Sequence, residues 1–443
     1  MGNALRGRSV VRSGVAEQAV VSRQADEISG SGDEEPPGLA IVGQLPPKAR
    51  FPTGRTSVAF RRRFFPGVKA EDWNDWHWQL RHRIRSAEEL RRIFTLSAHE
   101  RGAVEWSHSS IPLSITPYYA SLMSRSDSLE SLRRTHIPVL DEIVTSPGEM
   151  SDPLGEDHRT VVPGLIHRYP DRVLFLATQH CATYCRYCTR SRLVGTAPEG
   201  GPRSLRQRVE AAATYIEANP GIRDLVISGG DPLTLDDDRL NVMLTRFRSI
   251  PHLEILRIGT KVPMVMPMRV TRSLVSLLKR FHPLWINIHC THPDELTVES
   301  REALRRLADV GIPLGSQTVL LKDVNNDSEV LRRLYHGLLV NRVRPYYLYQ
   351  CDPIPGSSHF RTSVADGLAV IKSLRGHTSG LAVPAYVIDA PDNGGKIPLL
   401  PSSVLNWEGG ALQLENYEGR TCHYPDAGSS GSDAGSPEQG CFH

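Results

Sequence analysis

The sequence predicts an α/β protein whose core is a parallel barrel, full or partial, preceded by a helical region. Three observations carry this. From about residue 161 to about 390, short apolar runs alternate with amphipathic segments, mostly about 30 residues apart, the length of one strand and its crossover helix. No dinucleotide-type glycine fingerprint accompanies these runs, which favours a barrel over a Rossmann sheet. The loop richest in chemistry leaves the first run at its C-terminal end, where barrels carry their sites.

Taken in order, residues 1–55 are rich in Gly, Ser, Glu and Pro and include Gly30-Ser31-Gly32-Asp33-Glu34-Glu35-Pro36-Pro37, so a disordered extension is expected. Residues 56–160 read as a helical region. From Glu71 to Ile93 the pattern is that of one amphipathic helix, with Trp73, Trp76 and Leu80 on one face and Trp78 beside them. These tryptophans read as core packing. More helix is expected to about residue 150, broken by Ile115-Thr116-Pro117-Tyr118-Tyr119. The barrel occupies residues 161–410, with candidate strands at 173–177, 224–228, 254–258, 284–288, 316–321, 345–350 and 384–389. Residues 411–443 become polar and are expected to be disordered from about 425.

The chain has 443 residues, 40% hydrophobic and 23% charged, which suits an ordinary enzyme with a large core. A net charge of +3 is too small to argue for nucleic acid or a membrane surface. No apolar run approaches the roughly 20 residues of a transmembrane helix. No apolar signal core stands near Met1, and Arg6 breaks a myristoylation motif. Cys290, Cys351, Cys422 and Cys441 are scattered, which suits a reducing cytoplasm better than a disulfide framework. Basic charge is overwhelmingly arginine, with seven lysines, and the excess points to GC-rich bacterial coding.

The remaining three cysteines carry the most information. Cys181-Ala182-Thr183-Tyr184-Cys185-Arg186-Tyr187-Cys188 sets three thiols at C-x₃-C-x₂-C spacing, directly after the run Val173-Leu174-Phe175-Leu176-Ala177. Four thiolates close a structural zinc or iron–sulfur site; three leave one metal position open. A zinc knuckle with a distant fourth ligand and three incidental core cysteines are the plainer alternatives. The spacing resembles that of the radical S-adenosylmethionine enzymes, whose [4Fe–4S] cluster holds the cofactor on its fourth iron.

Two further segments point the same way. The run 224–228 ends in Ser228-Gly229-Gly230-Asp231-Pro232-Leu233, where glycines allow a backbone to approach a ligand. Alone this reads as a turn; after the cysteine motif it resembles a methionine-binding strand. In Asp389-Ala390-Pro391-Asp392-Asn393-Gly394-Gly395-Lys396, a flexible loop can swing Lys396 inward, as a pyridoxal-phosphate lysine requires. The plainer reading is an exposed loop lysine. His167-Arg168-Tyr169-Pro170-Asp171-Arg172 offers two guanidiniums and a phenol to a phosphate.

Together with Arg257-Ile258-Gly259, Tyr349-Gln350-Cys351-Asp352 and Arg375-Gly376-His377-Thr378-Ser379-Gly380, these segments resemble the lysine 2,3-aminomutases from about Glu71 to about Tyr417. The resemblance implies a partial (β/α)₆ barrel. It implies that Cys181, Cys185 and Cys188 ligate a [4Fe–4S] cluster, that Lys396 carries pyridoxal 5′-phosphate, and that Arg168, Tyr169 and Arg172 bind its phosphate. Gly229, Gly230, Asp231, His289 and Gln317 fall at S-adenosyl-L-methionine positions. Arg190 matches the substrate-carboxylate arginine, and Asp352 and Asp389 match the aspartates that grip the distant amino group of lysine.

The implied reaction moves the α-amino group of a basic L-amino acid from C2 to C3, L-lysine to β-lysine first. L-Arginine to β-arginine is the alternative, as in antibiotic biosynthesis, because a guanidinium also suits two carboxylates and because Asp392 and Asn393 depart from the usual glycine-only loop. A radical enzyme acting on a lysyl group of a protein and a non-catalytic iron–sulfur sensor are more remote readings. The implied partners are the amino acid and an electron donor such as flavodoxin or ferredoxin, and a homo-oligomer is an option. Asp327 stands where a zinc-binding cysteine of the family would be, and Cys422 and Cys441 form no clustered motif, so no structural zinc is expected.

Overall fold

Seven of the apolar runs become consecutive parallel strands. The computed structural model describes residues 51–105, 111–195, 204–391, 394–408 and 411–425. The strands are β1 (Thr160–Val162), β2 (Leu165–Tyr169), β3 (Arg172–Thr178), β4 (Asp224–Gly229), β5 (Ile255–Thr260), β6 (Leu284–His289), β7 (Leu314–Leu320), β8 (Val343–Gln350), β9 (Ala385–Ala390) and β10 (Gly395–Leu399). They form one sheet in sequence order, parallel from β3 to β9 and antiparallel at both edges.

The parallel strands alternate with helices: α8 (Leu205–Glu217), α9 (Asp237–Arg248), α10 (Val262–Val265), α11 (Arg272–Lys279), α12 (Val298–Asp309), α13 (Ser328–Val340) and α14 (Val364–Leu374). With the one-turn α10 set aside, these are six βα units and a closing seventh strand. The sheet order ends at β1 and β10, so the barrel is open, as the resemblance implied.

Side-chain alternation explains the layers. On β3 and β4, Phe175, Leu225 and Ile227 are fully buried, and the Phe175 ring meets Phe247 of α9 edge-on at 5.2 Å. Their neighbours Leu174, Val226 and Ser228 point to the interior cavity. Burying a side chain such as Phe175 stabilises by about 1.5–3 kcal/mol.

The N-terminal region departs from the expected single helix. Its helices are α1 (Arg55–Phe64), α2 (Ala70–Trp73), α3 (Trp76–Arg81), α4 (Ala87–Ile93), α5 (Ala98–Glu105), α6 (Pro117–Ala120) and α7 (Ser131–Arg134). The run from Glu71 to Ile93 is thus three pieces, because local capping outcompetes propagation. Asp75 caps α3 by accepting from the His77 amide, and Ser86 and Glu89 form a capping box on α4. Trp73 and Trp78 pack together in the core at 5.6 Å, whereas Trp76 turns to stack under Arg269 at 4.4 Å. Ile115 pairs with Ile84 as an isolated bridge, and Pro117 starts α6 behind a Thr116 cap.

One more expectation needs correcting. Lys396 lies on β10, paired in register with Asp389 on β9, rather than in a loop. The polar tail folds into a separate antiparallel sheet, β11 (Val404–Glu408), β12 (Ala411–Glu415) and β13 (Thr421–Pro425). The disorder expected for residues 1–55 and beyond 425 falls mainly outside the described residues, although Arg55 already begins α1. Asp392, Asn393 and Cys441 are also outside them. Asp327 accepts from the Glu329 and Val330 amides as the cap of α13, and Cys422 is exposed on β13.

Candidate active site

The C-terminal ends of the parallel strands enclose a cavity of about 530 Å³. Every site residue expected from the sequence lines it: the three cysteines, Arg168, Tyr169, Arg172, Arg190, Gly229, Gly230, Asp231, His289, Gln317, Asp352, Asp389 and Lys396. A flat sheet could not bring residues of β2 through β10 to one space; the curvature of the open barrel does.

The cysteine loop is clamped by its backbone. The Tyr184 amide donates to Ser114 O (3.0 Å) and the Arg186 amide to Thr135 O (2.9 Å). Arg83 Nη1 donates to Cys181 O (2.9 Å). The fully buried Arg186 guanidinium binds Glu142 and the Ile111 carbonyl, anchoring the middle of the loop. Gly229 and Gly230 seat it from below. A Cβ on Gly230 would lie 2.4 Å from His180 O, and one on Gly229, whose φ is +116°, would lie 2.4 Å from Thr178 O. The close approach that these glycines permit is therefore to the lead-in of the cysteine loop itself.

The three thiols are free and partly exposed toward the cavity. Burial pushes all three up, Cys188 to about 11, so a metal's charge is needed to hold them as thiolates. Among the described residues no three His, Cys, Asp or Glu side chains converge on a single ion position. Three thiols lining one cavity are a donor set a [4Fe–4S] cluster can take, each sulfur on a different iron.

Asp231 lines the cavity and also ties two strands together. Its buried carboxylate accepts from the Leu233, Lys261 and Val262 amides and from Thr260 Oγ1, at 2.7–3.1 Å. It ties the end of β4 to the end of β5, while burial lifts it to about 6. Gln317 Nε2 donates to Tyr349 Oη (2.9 Å). Burial, with Lys261 and Arg190 nearby, lowers His289 to about 4, so its imidazole is neutral.

At the other end of the cavity, Asp389 accepts from Arg168 Nη1 (2.7 Å) and from Lys396 Nζ (2.5 Å). The Lys396 amide donates to Tyr169 Oη (2.9 Å), and Arg172 lies over the Tyr169 ring at 4.2 Å. Asp352 accepts from Thr189 Oγ1 (2.5 Å) and has no salt-bridge partner among the described residues. Burial, reinforced by Asp389, lifts Asp352 to about 6. Arg190 binds Glu156 with Nε (3.0 Å) and Nη2 (2.6 Å), which leaves Nη1 for another acceptor.

Several site residues escaped the sequence reading. Glu156, which orients Arg190, lies in a segment with no periodic signal. Lys261 Nζ is buried at 2.6 Å from Glu295 Oε1, and Tyr119 Oη donates to the same oxygen at 2.8 Å. Against burial, which works the other way on each, the pairing holds Lys261 up and Glu295 down to about 2. The scarcity of lysine was the one available hint for Lys261.

Comparison with known proteins agrees with this geometry. Residues 175–334 match the radical SAM superfamily model, and residues 371–438 match a lysine-2,3-aminomutase model. The chain is 45% identical over 370 residues to L-lysine 2,3-aminomutase of Fusobacterium nucleatum, covering 84% of this chain and 86% of that protein. It is 46% identical over 359 residues to the Bacillus subtilis L-lysine 2,3-aminomutase (81% and 76% covered). It is 39% identical over 356 residues to the Clostridioides difficile glutamate 2,3-aminomutase (80% and 83% covered). Similarity to the Streptococcus suis SuiB structure bound to S-adenosylmethionine is faint: TM-score 0.39, 12% identity, 54% of each chain. The sequence matches suffice: an enzyme with a radical SAM domain, its three cysteines at the mouth of an open barrel, this chain belongs to the lysine 2,3-aminomutase family.

Proposed function

We propose that this chain is a pyridoxal-phosphate-dependent 2,3-aminomutase for a basic L-amino acid, with L-lysine as the first candidate. The observation that carries the reading is the partly buried carboxylate of Asp352. It lines the cavity shared by Lys396 and the cysteines, has a hydroxyl as its hydrogen-bond partner, and forms no ion pair among the described residues. Such a carboxylate is costly unless a cation arrives. A substrate ammonium between Asp352 and Asp389 would supply it, whereas a glutamate side chain would add a third negative charge.

The residues present fit each implied group. Cys181, Cys185 and Cys188 would hold the cluster, and Gly229, Gly230, His289 and Gln317 line the adjoining space for S-adenosylmethionine. Lys396, Arg168, Tyr169 and Arg172 would hold pyridoxal phosphate. Arg168 Nε is buried without a partner, a donor suited to a phosphate oxygen. When bound, these groups supply a carbon radical able to take hydrogen from an unactivated C3 and a conjugated ring through which nitrogen can migrate.

The chain's own work is positioning. Asp352 and Asp389 fix the distant cation, and Arg190, braced by Glu156, presents Nη1 to the α-carboxylate. With both ends held, C3 has one place to be, and misplacement by about 1 Å can cost on the order of 100-fold in rate. The enclosing walls keep water and oxygen from a reactive radical.

Anaerobic incubation of the reconstituted enzyme with lysine, arginine and glutamate separately, followed by mass spectrometry and NMR, tests the reading. β-Lysine as the main product supports it. Arginine is the second substrate to watch, since two carboxylates also pair well with a guanidinium. Turnover of glutamate alone would overturn it.

A further inference from the structure

His136 lies outside the residues that the sequence or the family resemblance brought forward. It lies just beyond Thr135, the C-cap of α7, and is fully buried. Its Nε2 lies 3.5 Å from Cys185 Sγ, the middle thiol of the triad. Its Nδ1 lies 2.7 Å from Thr135 Oγ1 and 3.3 Å from the Leu132 carbonyl. The Tyr119 ring meets the imidazole edge-on at 4.6 Å, and Tyr119 is fixed in turn by Glu295. Both ring nitrogens and one ring face are therefore committed, so the imidazole has one orientation.

We propose that His136 is a positioning residue that donates an N–H···S hydrogen bond from Nε2 to Cys185 and thereby sets the reduction potential of the cluster. The reasoning is about tautomers. A neutral imidazole has one donor and one acceptor nitrogen. While Cys185 is a thiol, its S–H can donate to Nε2, with Nδ1–H donating to Thr135 Oγ1. A ligating cysteine has lost that proton, and its sulfur can only accept. The Thr135 hydroxyl can rotate from the Leu132 carbonyl, its present acceptor at 2.7 Å, to donate to Nδ1. That places the imidazole proton on Nε2, facing the sulfur.

A hydrogen bond to a ligating sulfur stabilises the more negative, reduced cluster and raises its potential. A cluster held by these cysteines would supply one-electron chemistry to S-adenosylmethionine, and its potential would govern how readily the electron is gained and lost. The inference rests on the reading that Cys181, Cys185 and Cys188 hold the cluster, and its test separates the two.

The experiment uses the reconstituted full chain grown with ¹⁵N-labelled histidine. Iron content is measured first, then pulsed EPR of the reduced cluster, then a redox titration. Wild type should show a weak ¹⁵N coupling that disappears in His136→Gln, in which the side-chain amide can still donate and should keep the potential near wild type. His136→Phe removes the donor and should lower the reduced fraction at a given poise about tenfold, a shift of about 59 mV to more negative potential for one electron. Wild-type protein that takes up no iron would overturn the cluster reading. A loaded wild-type cluster without a His136-dependent ¹⁵N coupling, or loaded His136→Phe with the wild-type potential, would overturn the inference alone. If His136→Phe does not load, the labelled wild type and His136→Gln still decide.

Discussion

Lys396 and Asp389 stand opposite each other in the β9–β10 register, and their side chains meet at 2.5 Å. Asp389 also accepts from Arg168, so one buried carboxylate links the expected pyridoxal-phosphate lysine, the expected phosphate-binding arginine and the proposed substrate-cation clamp. The two aspartates of the clamp are therefore not equivalent. Asp352→Asn removes a charge whose partner is a hydroxyl, and should lower turnover of lysine by about 100-fold while leaving pyridoxal binding intact. Asp389→Asn should weaken both. Steady-state kinetics alongside pyridoxal absorbance check the difference. Loss of roughly 2–5 kcal/mol is the scale for a desolvated charge pair broken on one side.

Borohydride reduction should fix pyridoxal phosphate to the Lys396 peptide. Lys261, the other cavity lysine, is held by Glu295 and should stay unlabelled. Peptide mass spectrometry reads this, and label on Lys261 with Lys396 free would refute the assignment. Lys396→Ala should still take up iron.

Changing Cys181, Cys185 or Cys188 to Ala should abolish the cluster, read as a fall from about four irons per chain. Gly230→Ala should do nearly as much without touching a thiol. Its Cβ would press on His180 O at 2.4 Å, and the backbone leading to Cys181 would have to move. Iron content and thermal stability of Gly230→Ala, compared with wild type, check this.

Asp352 gives the pH dependence a sign. Burial raises its folded value to about 6, above an unfolded value of about 4. The folded state then binds more protons than the unfolded state in that window. Stability of the substrate-free protein should fall as pH rises from about 4 to about 6, and Asp352→Asn should flatten that part of the profile. For catalysis the direction reverses, because the cation needs the ionised form. kcat/KM for lysine should rise through about pH 6, which a pH–rate profile measures.

The strands were legible because parallel strands buried on both faces read as apolar runs; the run at 224–228 became β4 and that at 284–288 became β6, each within a residue or so. The cysteine loop and the Lys396 segment stood out as motifs and the two aspartates through the family resemblance; the fold brings all of them to one cavity. What stayed hidden depends on contacts distant in sequence or on local competition. The helix expected from Glu71 to Ile93 breaks because Asp75 and Ser86 cap new helices. The short edge strands β1 and β2 and the sheet β11–β13 lack a strong alternation of apolar residues. Glu156 and His136 are defined by partners 34 and 49 residues away in sequence, and no spacing rule reports such pairs.

The proposed function requires that one cavity move an amino group from C2 to C3 of a basic amino acid. The most direct measurement is ¹⁵N and ¹³C NMR of the reaction of L-lysine labelled with ¹⁵N at the α-nitrogen, under anaerobic conditions, with fully loaded enzyme and reductant. The label should appear bonded to C3 of β-lysine, with none released as ammonia. Label that remains on C2 in lysine and in a parallel arginine reaction, with cluster and pyridoxal phosphate both shown to be in place, would contradict it.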